Sequence, residues 1–269
     1  MGIKIDMELG DMPTVSGILV KLAGIYNIES ILASIKKYMG GFMIALGVAA
    51  HPDDLDFGAS GTFAKLAKEG AACYYLICTN GCKGSDDPNM TEEKLIEIRK
   101  KEQEEAGKIL GLKGVFFLNH NDTQLVADLE LKKEIVRFIR KLKPDLVVTM
   151  DPTLVYSKRG FVNHTDHRAA GQAAIDAVYP MARDRLTFKE LEKEGLKPHK
   201  VKTLYLTNFD SHNEVVDISE TMEIKEKALA RHKSQVSGES VKWVREMAHL
   251  IGKEKGYEFA EAFIKLELK

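Results

Sequence analysis

Residues 42–54 read FMIALGVAAHPDD. Nine apolar or small residues run without a charge to Ala50, and His51, Pro52, Asp53 and Asp54 follow at once. An apolar run of this length, closed by a turn signal, is the pattern of a strand covered on both faces. Such strands sit inside parallel sheets, which need a helical crossover between neighbours.

The rest of the chain repeats that alternation. Residues 62–68 predict a helix, 72–78 a second apolar strand, and 91–110 a long helix with Thr91 as its N-cap. Glu92 and Glu93 suit that helix's first turn, and Lys94 stands where a capping box wants Glu or Gln. Strands follow at 115–118 and 146–150, separated by a helix at 129–142, and the alanines of 168–178 predict a closely packed helix. Beyond Pro180 the character changes. Residues 201–207 and 214–218 read as strands, 221–232 and 241–251 as helices, and 262–266 as a last strand. Helix and strand in this order require right-handed crossovers and a mostly parallel sheet. At the start, residues 30–39 have helical apolar spacing that Gly40 and Gly41 interrupt. The expected division is therefore a helical extension over 1–40 and one α/β domain over 41–269.

The 269 residues suffice for one large α/β domain. A formal net charge of −1 gives no attraction to nucleic acid or an anionic membrane. The longest apolar stretch, 41–50, falls short of the roughly 20 residues that cross a bilayer. The N-terminus carries acidic residues and no basic leader, so a cytoplasmic location is expected. Three cysteines make no disulfide framework. Cys73 and Cys78 read as core residues, and Cys82 as a loop residue that is not a metal ligand.

In open parallel sheets, ligands bind beyond the carboxyl ends of the strands. Those ends here carry His51-Pro52-Asp53-Asp54, Thr79-Asn80-Gly81, Asn119-His120-Asn121-Asp122 and Asp151-Pro152, the last followed by Asn163-His164-Thr165-Asp166-His167. Two carboxylates and an imidazole packed into four residues at a buried strand end are costly unless a positive charge compensates them, and a divalent metal is the simplest compensation. One such Asp alone would read equally well as a helix N-cap. Two histidines and one carboxylate form a hydrolytic zinc site. The same donors form the facial triad of non-haem iron enzymes, but alternating helices and strands favour zinc. A spare Asp can act as base and a spare His as oxyanion donor or acid. Spacing alone does not choose between Asp53 and Asp54, or between His164 and His167. A dinucleotide site is disfavoured, because no G-x-G-x-x-G follows the first strand.

The segments AHPDDLDFGASGT, TNGCKGS, EIRKKEQEEAGKILG and NHTDHRAAG together resemble the LmbE/PIG-L family of N-acetylglucosaminyl deacetylases. The resemblance spans about residues 42–236, and ALARHKSQ is similar to that family's H-x-S-Q segment. It implies a Rossmann-like three-layer sandwich with C-terminal α/β additions, and zinc on His51, Asp54 and His167. It implies Asp53 as general base, His164 as oxyanion stabiliser or amine acid with Asp166 behind it, and Arg99 and Asp122 as sugar contacts. His232 is implied near the site mouth, in some relatives supplied by an adjacent subunit of a trimer or hexamer. Thr165 replaces the usual Pro of the second motif, and Leu55 the usual acidic residue after the first. The expected reaction removes the acetyl group of a small N-acetylglucosamine compound. The alternatives are an amidohydrolase acting on a glucosaminide–thiol conjugate or a non-sugar amide, and a binding protein without turnover; retention of Asp53 and His164 argues against the latter.

Overall fold

The computed structural model describes residues 43–158, 160–208 and 210–269. The extension expected over 1–40, with its helix at 30–39, lies outside the described residues.

The apolar run becomes β1 (Ile44–Ala49), in which every residue after the first is buried. β2 (Ala72–Thr79) and β4 (Leu146–Met150) flank it in parallel register, Ala45 pairing with both Cys73 and Leu146. β3 (Gly114–His120) pairs with β2, and β5 (Thr203–Thr207) with β4, both parallel. β7 (Ala260–Glu267) runs antiparallel between β5 and β6 (Glu214–Asp217). The sheet order is β3-β2-β1-β4-β5-β7-β6.

From β1 the chain steps outward through β2 to β3, then returns across the sheet to β4. Right-handed crossovers in opposite directions place helices on opposite faces. Accordingly α2 (Ser60–Lys68), α3 (Glu92–Leu110) and α7 (Met222–Leu229) pack with one another, while α4 (Leu129–Leu142) packs on α5 (Thr165–Asp176). This is the expected three-layer α/β sandwich, with a mostly parallel sheet and C-terminal additions that include α8 (Gly238–Lys253). The order reverses between β1 and β4, which makes their carboxyl ends the switch-point crevice.

Most boundaries follow local chemistry. Thr91 caps α3 by accepting the Lys94 N–H at 3.3 Å, and Asp128 caps α4 through the Leu131 N–H at 2.9 Å. The structure adds two short helices that apolar spacing does not reveal, α1 (Asp54–Gly58) and α6 (Lys189–Lys193). It also starts α5 at Thr165 rather than 168, because the His164 ring accepts the Asp166 N–H at 3.1 Å and acts as its cap.

α5 carries both histidines of the second cluster, and Gly171 sets its distance from the sheet. A Cβ at Gly171 would stand 2.3 Å from the Met150 carbonyl oxygen. Gly171→Ala is therefore expected to push α5 off β4 and cost about 1–3 kcal/mol, read as a lower denaturation midpoint at unchanged m-value.

Candidate metal centre and active site

The turn after β1 is strained where the chemistry is densest. Asp53 has φ 95° and ψ −29°, left-handed backbone that an Asp adopts only when its surroundings impose it. Asp54 then opens α1, and its Oδ2 accepts the His51 N–H at 2.6 Å. This geometry sends the adjacent carboxylates to different partners. Asp54 Oδ1 lies 3.0 Å from His167 Nε2, and Oδ2 lies 3.5 Å from His51 Nδ1. Asp53 Oδ2 lies 3.4 Å from the Arg99 guanidinium.

The second histidine cluster arrives on the first turn of α5. The His51, His164 and His167 rings stand 4.7–5.4 Å apart, centroid to centroid. One donor nitrogen from each lies within 4.8 Å of the others, and a second buried group joins His51 to Asp122 and Asp166. His51 Nε2 is held by Asp122 Oδ1 at 3.1 Å and Asp166 Oδ2 at 3.3 Å. His167 Nδ1 is held by Asn163 Oδ1 at 3.0 Å, and Asn163 donates in turn to the Leu154 carbonyl. These outer contacts orient each ring and leave His51 Nδ1 and His167 Nε2 facing Asp54.

The electrostatics express one shortage, that of positive charge. Burial opposes protonation of His51, yet Asp54, Asp122 and Asp166 outweigh it and push the pKa up to about 12. Burial likewise opposes ionisation of Asp54, but His167 and His51 hold its carboxyl well below the usual range. Burial first, then Asp54, raises Asp53 to about 7 against the pull of Arg99, His232 and His51. His164 is shifted down by burial and by the two neighbouring imidazoles.

The donor set suits a small divalent ion. Ligand atoms at about 2.0–2.1 Å on a tetrahedral ion stand a little over 3 Å apart. The Asp54–His167 and Asp54–His51 separations of 3.0 and 3.5 Å bracket that spacing. The shortage of positive charge that raises His51 is also the one a cation would relieve.

The other residues read from the sequence fall in two layers. Asp122, 4% exposed, touches His51 and accepts the Lys83 N–H at 3.2 Å. Arg99, 5% exposed, donates to the carbonyls of Gly81, Lys83 and Pro52 and so fastens the loops after β1 and β2 to α3. Two placements differ from the sequence reading. The Asp166 carboxylate lies against His51 and accepts the Thr123 and Leu125 N–H groups, and its residue reaches His164 only through its backbone N–H. His232 does not stand at a mouth within this chain: it is 1% exposed, with Nε2 3.1 Å from Asp56 Oδ2. His120 pairs with Glu134, outside the cluster, while His199, His212 and His249 make local packing or surface bonds.

Sequence reasoning missed Asp56 and Gln103, and assigned no role to Asn163. A signal existed for Gln103. Leu95, Arg99, Glu102, Gln103, Ala106 and Leu110 recur at helical spacing and form the buried stripe of α3, so polar residues occupy core positions there.

A family model described as "PIG-L: GlcNAc-PI de-N-acetylase" matches residues 46–178. A diacetylchitobiose deacetylase of Thermococcus kodakarensis is 34% identical over 220 residues, which are 80% of each chain. A mycothiol S-conjugate amidase of Streptomyces coelicolor is 25% identical, over 83% of this chain and 93% of its own. The solved structure of an N,N'-diacetylchitobiose deacetylase from Pyrococcus horikoshii, complexed with its inhibitor MPG, superposes with a TM-score of 0.77 at 28% identity. That alignment covers 96% of this chain and 95% of the other. With the family model and the relatives in agreement, the chain belongs to the PIG-L, or LmbE-like, family of de-N-acetylases.

Proposed function

We propose that this protein is a zinc-dependent N-deacetylase that removes the acetyl group from a small N-acetylglucosamine compound, releasing acetate and a free amine. The observation that carries the reading is the convergence of His51, Asp54 and His167 beside a second buried carboxylate, Asp53. Deacetylase relatives support the hydrolytic reaction on an N-acetylated amino sugar. The alternative of a thiol-conjugate or non-sugar amide fits less well, since the amidase relative is 25% identical and the diacetylchitobiose deacetylase 34%.

In this mechanism His51, Asp54 and His167 hold the metal. When bound, it supplies Lewis-acid polarisation of the acyl carbonyl and acidifies water. Asp53 takes the proton of the attacking water and returns it to the amine nitrogen as the C–N bond breaks. His164 serves the oxyanion as a hydrogen-bond donor: its Nδ1 is engaged by the Asp166 N–H, which leaves the Nε2–H free for the substrate oxygen. Asp166 steadies both histidines, His51 through its carboxylate and His164 through its backbone. Arg99 and Asp122 are assigned to the sugar hydroxyls beside the same cluster. A homo-oligomer and a cytoplasmic location complete the reading; the second is supported by three cysteines that are all free.

The test is release of free amine from N-acetylglucosamine and N,N'-diacetylchitobiose by the zinc-loaded protein. Chelation should abolish turnover and zinc should restore it. A fully metallated protein inert on every N-acetylated glucosaminide would refute the reading.

Asp53→Asn separates function from stability. Turnover should fall about 10²–10⁴-fold with zinc retained. Stability should move the other way in the metal-free protein. A folded pKa above the unfolded one means that the ionisation cost is absent at low pH and complete above about 7. The Asn variant should therefore gain more stability at pH 8 than at pH 4. Equal melting-temperature gains at both pH values would contradict this electrostatic origin.

A further inference from the structure

The left-handed turn at Asp53 needs something to impose it, since such backbone costs about 1–3 kcal/mol. At positive φ the Asp53 N–H turns into the protein, where Gln103 Oε1 accepts it at 2.9 Å. A backbone N–H can only donate, so the amide of Gln103 has one possible orientation. Its Nε2 then donates to Asp56 Oδ2 at 2.8 Å, and His232 Nε2 meets the same oxygen at 3.1 Å. Gln103 and Asp56 are fully buried, and His232 is 1% exposed.

The far end of this chain is itself fastened. Ser234 binds both oxygens of Glu102 through its N–H and hydroxyl, at 2.9 and 2.6 Å, and Gln235 donates to the Gly84 carbonyl. Segment 232–235 and α3 thus hold the HPDD turn and the short helix that follows it.

We infer that Gln103, backed by Asp56 and His232, is a positioning residue for Asp53: it holds the backbone geometry that separates the Asp53 carboxylate from that of Asp54. The inference rests on the reading of Asp53 as general base. It also gives His232 work that needs no contact with substrate.

Gln103→Met preserves length and removes both hydrogen bonds. In the zinc-loaded enzyme its kcat should fall about 10–100-fold, the scale of a misplaced catalytic group, while KM stays within about threefold and zinc content, by elemental analysis, stays at the wild-type value. The deciding measurement is a double-mutant cycle. In the Asp53→Asn background, Gln103→Met should lower the residual rate by less than about twofold, because the group it positions is already gone. Losses that multiply would show a general structural effect and overturn the inference, as would wild-type kcat in Gln103→Met when Asp53→Asn is inactive. Wild-type turnover in Asp53→Asn is a different result: it refutes the base itself and this inference with it. Should Gln103→Met not fold, Asp56→Asn keeps an acceptor for the Gln103 Nε2–H while removing the charge behind it, and is read through the same cycle, with a smaller loss expected.

Discussion

Four carboxylates, those of Asp53, Asp54, Asp122 and Asp166, are held largely out of water around one buried imidazole, and the rest of the structure is arranged around that cost. Each carboxylate meets a cation or an N–H. His51 answers three of the carboxylates, His167 answers Asp54, and Arg99 lies against Asp53. Backbone groups of Lys83, Thr123 and Leu125 supply the remainder. The switch point between β1 and β4 is where this can happen, because only there do loops from both directions of the sheet meet.

The fold was legible because its signals are local. The bounds of α4 and β4 coincide with the apolar pattern, which Asp128 and two-sided burial define without outside help. The convergence of four strand ends was legible for the same reason. What escaped depends on distant partners. α1 begins from a backbone conformation that no residue type at 53 announces. α5 begins early because a ring nitrogen caps it, where sequence rules look for Ser, Thr, Asp or Asn. Asp166 lies behind His51, which is 115 residues away, although His164 is two residues away. Adjacency in sequence was a poor guide to which carboxylate orients which imidazole.

The C-terminal additions show why the domain does not end at the last parallel strand. Glu261 on β7 accepts the Gly61 and Thr62 N–H groups at the start of α2, at 2.9 and 2.7 Å, and pairs with buried Lys225 of α7 at 2.6 Å. Lys225 also donates to the Phe57 carbonyl, at the end of α1. A carboxylate from one end of the chain therefore caps a helix near the other. Breaking either side of a pair this deeply buried leaves a charge without compensation, so it ties the two regions firmly.

Seen from Asp53, these ties have a common direction. The lysine of α7 holds the far end of the short helix that Asp53 opens, His232 just beyond α7 reaches Asp56 on that same helix, and Gln103 of α3 takes the N–H of Asp53 itself. A turn that places two adjacent carboxylates in different environments is unfavourable locally, and local sequence cannot stabilise it. It persists because three elements remote in sequence fix its backbone at both ends, leaving the side chains of His51, Asp53 and Asp54 to face the chemistry. The C-terminal region, which carries none of the proposed ligands, is in this sense part of the site.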